Sequence, residues 1–195
     1  MFQVLDSYLI LLDLQDRILQ TLQGRDRLLE RATTLAEGAR HLEVSILLTE
    51  QIPEKLGATI APFPALASSV FSKHHFSAAH ATGLVTALQA NGCRSVILAG
   101  IETHICIQQS ALDLASLGFR VGVVADATTA GTALDHDWGL RRMMSRGIEI
   151  LTVESILMEW THSSQHPAFR AISQLIKAQR AREKASDNAL PGTSP

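Results

Sequence analysis

Short apolar runs alternate along the chain with longer stretches in which apolar residues recur every three or four positions. Tyr8-Leu9-Ile10-Leu11-Leu12 is too short for a helix and has no polar break, the pattern of a strand buried on both faces. Leu28, Leu29, Ala32, Leu35, Ala36 and Ala39 follow at helical spacing within 24–42. The same reading predicts further strands over 44–49, 70–71, 95–99, 120–125 and 148–153, and helices over 77–91, 103–117 and 134–146. Ser77 is placed to cap the first of these helices, and Gly92, Gly118 and Gly147 to close them. Phe169, Ile172, Leu175 and Ile176 predict a terminal helix within 167–185.

Strands alternating with helices of this length predict right-handed βαβ units. The expected fold is therefore one α/β domain over 1–185, a doubly wound, Rossmann-like parallel sheet with helices on both faces. Residues 186–195 are polar and contain Pro and Gly, which predicts a flexible tail. The segment 50–69, with Pro53, Pro62 and Pro64, is the long irregular connection. Connections of that length often carry function.

Composition narrows the class. The 195 residues hold 17 Lys and Arg against 19 Asp and Glu, a net charge of -2, which does not suit a dedicated nucleic-acid binder. No apolar run approaches the roughly 18 residues of a membrane span, and Met1-Phe2-Gln3-Val4-Leu5-Asp6 lacks the basic start of a secretory signal. Two cysteines, Cys93 and Cys106, make no disulfide framework. A reducing, cytoplasmic setting is expected. A mean hydropathy of +0.13 and apolar surface on the terminal helices point to a homo-oligomer, a dimer or larger.

In an open parallel sheet, ligands bind beyond the carboxyl ends of the strands, where the strand order reverses. The residues at those exits are Asp13, Gln15 and Asp16, then Glu50 and Gln51, then Lys73, His74 and His75, then Glu102, Thr103, His104 and Cys106, and finally Asp126. Cys106 sits in the first turn of an expected helix, where the dipole favours a thiolate. Asp13 follows five apolar residues, so burial could raise it to a useful general base. Lys73 could steady a carboxylate or a thiolate. Each also has a plainer reading: a small buried Cys, a capping Asp, a solvated Lys. His74, His75 and His80 invite a metal, but neighbours in an extended segment face opposite ways. His104 and Cys106, two apart on a helix, diverge by about 200° and do not make a local dyad. Asp135-His136-Asp137 reads as acids serving a helix start.

Leu11-Leu12-Asp13-Leu14-Gln15, Phe71-Ser72-Lys73 and Ala99-Gly100-Ile101-Glu102-Thr103-His104-Ile105-Cys106-Ile107 resemble the isochorismatase-like cysteine hydrolases, as does the stretch from Ala111 to Thr128. The resemblance runs over about 8–156. Residues 49–57 and 166–178 are similar to the isochorismatase domain-containing subgroup. It implies a six-stranded parallel sheet, a catalytic triad of Asp13, Lys73 and Cys106, and a non-proline cis peptide at Ile101–Glu102 that aims N–H groups at an oxyanion. Gln15, Gln51, Phe76, Glu102 and Thr103 are expected to line a pocket for a small molecule. Nicotinamidases of this superfamily carry an Asp-x-His metal motif after the second strand; here Glu50-Gln51-Ile52 stands there, so neither a metal nor a cofactor is expected. Isochorismatases cleave a vinyl ether without needing the thiol, so Cys106 favours C–N or ester hydrolysis through a thioester. The alternative is a catalytically silent scaffold on the same fold. A thiol-redox role lacks a resolving Cys-x-x-Cys partner.

Overall fold

The computed structural model describes residues 1–189. In chain order the elements are β1 (Ser7–Leu12), the single turn α1 (Asp16–Leu19), α2 (Arg25–His41), β2 (Ser45–Gln51), the single turns α3 (Pro53–Leu56) and α4 (Phe63–Leu66), β3 (Ser69–Lys73), α5 (Leu84–Ala90), β4 (Ser95–Ile101), α6 (Gln108–Ser116), β5 (Arg120–Thr129), α7 (Ala133–Ser145), β6 (Glu149–Leu151), α8 (Val153–Thr161) and α9 (Phe169–Ala189). The strands form one parallel six-stranded sheet in the order β3-β2-β1-β4-β5-β6. This is the doubly wound arrangement expected, with its switch point between β1 and β4.

Strand alternation divides the core into two layers. Leu9 and Leu11 of β1 with Ile97 and Ala99 of β4 face α2, α8 and α9, while Ile10 and Leu12 with Val96 and Leu98 face α5 and α6. Both faces are covered, which is why the β1 run has no polar residue. Gly100 lets β4 approach β1 at the switch point: its φ is +117°, and a Cβ there would lie 2.2 Å from the Leu12 carbonyl oxygen. Backbone on both sides leaves no way to yield. Gly100→Ala should therefore lower unfolding stability by about 2–3 kcal/mol, read as a shifted urea midpoint.

Several boundaries differ from expectation. The region 77–91 is broken: a 3-10 turn over Ala78–His80 precedes α5, with Gly83 left-handed between them. Ser77 does cap, its hydroxyl accepting from the Ala79 N–H. The sixth strand stops at Leu151 because Thr152 and Ser155 form a reciprocal capping box that starts α8, a helix the apolar spacing did not predict. Helix α9 runs through Ala189, four residues into the stretch expected as a tail; 190–195 lie outside the described residues. Among the described residues no helix is long and apolar enough to cross a membrane.

Candidate active site

Asp13, Lys73 and Cys106 leave three different strands and meet at the switch point. Asp13 ends β1 in a left-handed conformation, φ 56°, one that Asp tolerates better than most residues, with its N–H donating to the Thr49 carbonyl. Its side chain is 1% exposed, and Thr49 Oγ1 donates to Oδ1 at 2.7 Å. Lys73 is the last residue of the edge strand β3, two interstrand spacings or about 10 Å from β1. Its four-carbon stem covers most of that gap and the Asp13 side chain reaches across the rest. Nζ donates to Asp13 Oδ2 at 2.7 Å and to Gln51 Oε1 at 2.6 Å, and lies 3.6 Å from Cys106 Sγ. The ammonium has three protons, and three acceptors surround it.

Cys106, 8% exposed, sits in a wide π-type turn, Thr103–Ile107, that runs into α6. The turn is tied down on several sides. Ser110 Oγ donates to the Cys106 carbonyl at 2.6 Å and accepts from the Ala78 N–H at 2.7 Å. Thr103 Oγ1 and His136 Nδ1 are 2.8 Å apart, and Glu102 Oε2 accepts from the Gly131 N–H at 3.0 Å. The Ile101–Glu102 peptide is cis. Burial holds the His136 imidazole below its ordinary pKa. Ser110, Thr49 and Gly131 do not stand out in the sequence, and His136 does so only beside the acids of a helix start, since their bonds to the site depend on how the elements pack.

Gln15 and Gln51 are buried, with their amides bound within the protein. Gln15 accepts from the Gln51 N–H at 2.8 Å and donates to the Gln51 and Gly57 carbonyls. Gln51 donates to the His74 carbonyl at 2.9 Å. Thr103 is fully buried, whereas Phe76 is half-exposed. His104 makes no bond to Cys106, and its Nδ1 has no partner. His75 and His80 rings lie 5.0 Å apart at the surface. Among the described residues no three His, Cys, Asp or Glu side chains group as metal ligands. Asp126 lies within β5 and is structural, pairing with Arg31 and accepting from the Val153 N–H that opens α8.

The electrostatics correct one expectation. A helix-start thiol should be acidic, yet the Cys106 thiol is pushed up to about 12, first by burial and then by the Asp13 charge, with Lys73 opposing both. Burial also raises the Asp13 carboxyl, against the pull of Lys73 and Thr49. By its contacts the site is a thiol beside a buried lysine–carboxylate ion pair. Moving the thiol proton to Asp13 transfers the ammonium's anionic partner from oxygen to sulfur and creates no new charge in a dry site. Cys93, the other free thiol, precedes β4 at the opposite end of the sheet, with Sγ donating to the Ser95 carbonyl.

Residues 7–155 match the isochorismatase domain. The chain is similar to isochorismatase domain-containing protein 1 of Salmo salar, 37% identical over 167 residues, which cover 85% of this chain and 59% of that protein. It is also similar to isochorismatase domain-containing protein 2A of Mus musculus, 36% identical over 176 residues, which cover 88% of this chain and 82% of that one. The chain thus spans little more than half the length of the Salmo salar protein. Among solved structures, the MAR1 ribonuclease from Caenorhabditis elegans superposes with a TM-score of 0.83 at 28% identity, covering 90% of this chain and 91% of that one.

Proposed function

The chain belongs to the isochorismatase family, in the isochorismatase domain-containing subgroup, and from that premise we propose that it is a cysteine hydrolase that cleaves a C–N or ester bond of a small molecule through a thioester on Cys106. The observation that carries the reading is the contact set of Lys73: one buried ammonium between the Asp13 carboxylate and the Cys106 sulfur. Three groups of the types that nucleophilic acyl transfer needs meet there.

When a carbonyl substrate enters, the Sγ proton passes to Asp13 and sulfur attacks the carbonyl carbon. The resulting oxyanion is met by backbone N–H groups of the Ile101–Glu102 turn and Cys106, each worth about 3 kcal/mol where correctly aimed. Collapse breaks the C–N or C–O bond, and the leaving amine or alcohol takes the proton from Asp13. Water then attacks the thioester, Asp13 accepts its proton, the acid departs and sulfur is reprotonated. Lys73 stays positively charged throughout. Gln51 acts as a positioning residue that fixes the ammonium. Glu50-Gln51-Ile52, standing where nicotinamidases carry Asp-x-His, supports a reaction that draws on no metal.

The test is turnover of a panel of small amides and esters with intact-mass trapping of the enzyme. Wild type should accumulate a mass equal to the acyl group, with or without chelator, and Cys106→Ala should neither trap nor turn over. Turnover that survives Cys106→Ala, or RNA cleavage that does, would overturn the proposal in favour of chemistry without the thiol.

A further inference from the structure

Among the described residues, helix α7 leaves more large apolar side chains in water than any other helix. Its inner side is well used: Gly139 lets the helix lie against His104, where a Cβ would come within 3.1 Å of the backbone, and Met143 is buried in the core. Its outer side carries Leu134 at 66%, Trp138 at 63% and Met144 at 59% exposure. A tryptophan so exposed at the centre of a helix is unusual for a free surface. The Arg141 guanidinium lies 5.9 Å from the Trp138 ring centroid and leaves most of the ring uncovered.

The charges on this face are arranged in a particular way. At about 100° per residue, Leu134, Trp138, Arg141 and Ser145 run along its middle, with Asp137 and Met144 to one side and Asp135 and Arg142 to the other. Acids occupy the N-terminal half and bases the C-terminal half. A partner of one sign, such as a nucleic acid or an acidic membrane, would meet repulsion over half the face. A second α7 laid antiparallel meets none: a two-fold axis keeps each flank on its own side and reverses height. Asp137 then comes beside Arg141 of the other copy, Asp135 beside Arg142, and Leu134 beside Met144, while the two Trp138 rings meet near the axis.

We propose that α7 forms the centre of an isologous interface between two copies of this chain, packed antiparallel about a two-fold axis at the level of Trp138 and Gly139. The apolar middle excludes water and the flanking ion pairs set direction and register.

Light scattering and sedimentation from about 1 to about 100 µM protein test this, because assembly follows mass action. Wild type should show a multiple of the protomer mass. Trp138→Glu should weaken the association at least about tenfold, halving the mass or bringing it to the protomer. Asp137→Arg should weaken it too, by setting a second guanidinium against Arg141 of the other copy, and adding Arg141→Asp should restore it. Unchanged far-UV circular dichroism and a cooperative thermal transition show that the variants fold, and the charge-swap pair keeps the test open if Trp138→Glu does not. A wild type that stays monomeric over the whole range overturns the proposal. So does an oligomer that Trp138→Glu leaves intact, or a double swap that fails to rescue.

Discussion

Asp13→Asn should abolish turnover and, at the same time, make Cys106 react faster with iodoacetamide. In the wild type the thiol stands at about 12, raised by burial and by the Asp13 charge and lowered by Lys73. Asparagine keeps the shape, tolerates the left-handed backbone at this position, and retains an oxygen for the Thr49 hydroxyl. It removes the negative charge. One raising cause goes while the lowering cause stays, so the thiol pKa falls. Lys73, stripped of its carboxylate, has the thiolate as its remaining anionic partner. Wild-type alkylation should climb about tenfold per pH unit through pH 7 to 10 without a plateau, as the thiolate fraction does below the pKa. The Asn variant should react faster at pH 7 and level off earlier. Turnover should fall on the order of 10³-fold or more, because no base remains to take the thiol proton or return it to the leaving group. Intact mass against time at several pH values reads the first effect and substrate turnover the second. If alkylation slows in parallel with turnover, Asp13 activates the resting thiol, and a neutral thiol beside a lysine–carboxylate pair is the wrong resting state.

That prediction turns on a sign the sequence could not supply. Cys106 stands at the start of an apparent helix, and position alone argues for an acidic thiol; only the packing, which leaves it 8% exposed beside a carboxylate, reverses the direction. The strands were legible because a sheet covered on both faces demands continuous apolar runs, as in β1 and β4. The break between Ala78–His80 and α5 was not, since a left-handed Gly83 leaves the apolar spacing on either side unchanged. Helix α8 was hidden for a similar reason: Val153 continues the apolar run of β6, and only the Thr152–Ser155 capping box marks the change. The residue types of the site could be read at the strand exits. Their meeting was implied only by the family resemblance and not by spacing, because Asp13 and Lys73 are 60 positions apart and touch only through the order β3-β2-β1. Gln51 shows the limit best. Its place at a strand exit suggests a ligand contact, whereas its amide oxygen is bound to the lysine ammonium.

The same lysine should divide stability from catalysis. Lys73→Met leaves Asp13 with a carboxylate 1% exposed and no counter-charge, the situation in which breaking a buried pair costs about 3–5 kcal/mol. The cost should depend on pH in a defined direction. Burial already raises the Asp13 carboxyl, and losing Lys73 removes the largest force pulling it down, so it rises further in the folded state. A carboxyl whose folded pKa lies above its unfolded value is stabilising when protonated and loses that contribution as pH rises through the window between the two. The variant's deficit should therefore be small in acid and grow toward neutral pH. Adding Asp13→Asn removes the stranded charge altogether and keeps the Thr49 bond. The double variant should regain most of the lost stability at neutral pH, with a deficit that no longer follows pH. It should be as inactive as either single variant. Urea unfolding of the four proteins at two pH values closes the cycle. A Lys73→Met protein as stable as wild type at neutral pH would mean that the pair is solvated and the ammonium free to leave the sulfur. A double variant with better stability than the single and no turnover would mean instead that this buried charge is kept for chemistry, since a neutral pair of similar shape holds the fold as well.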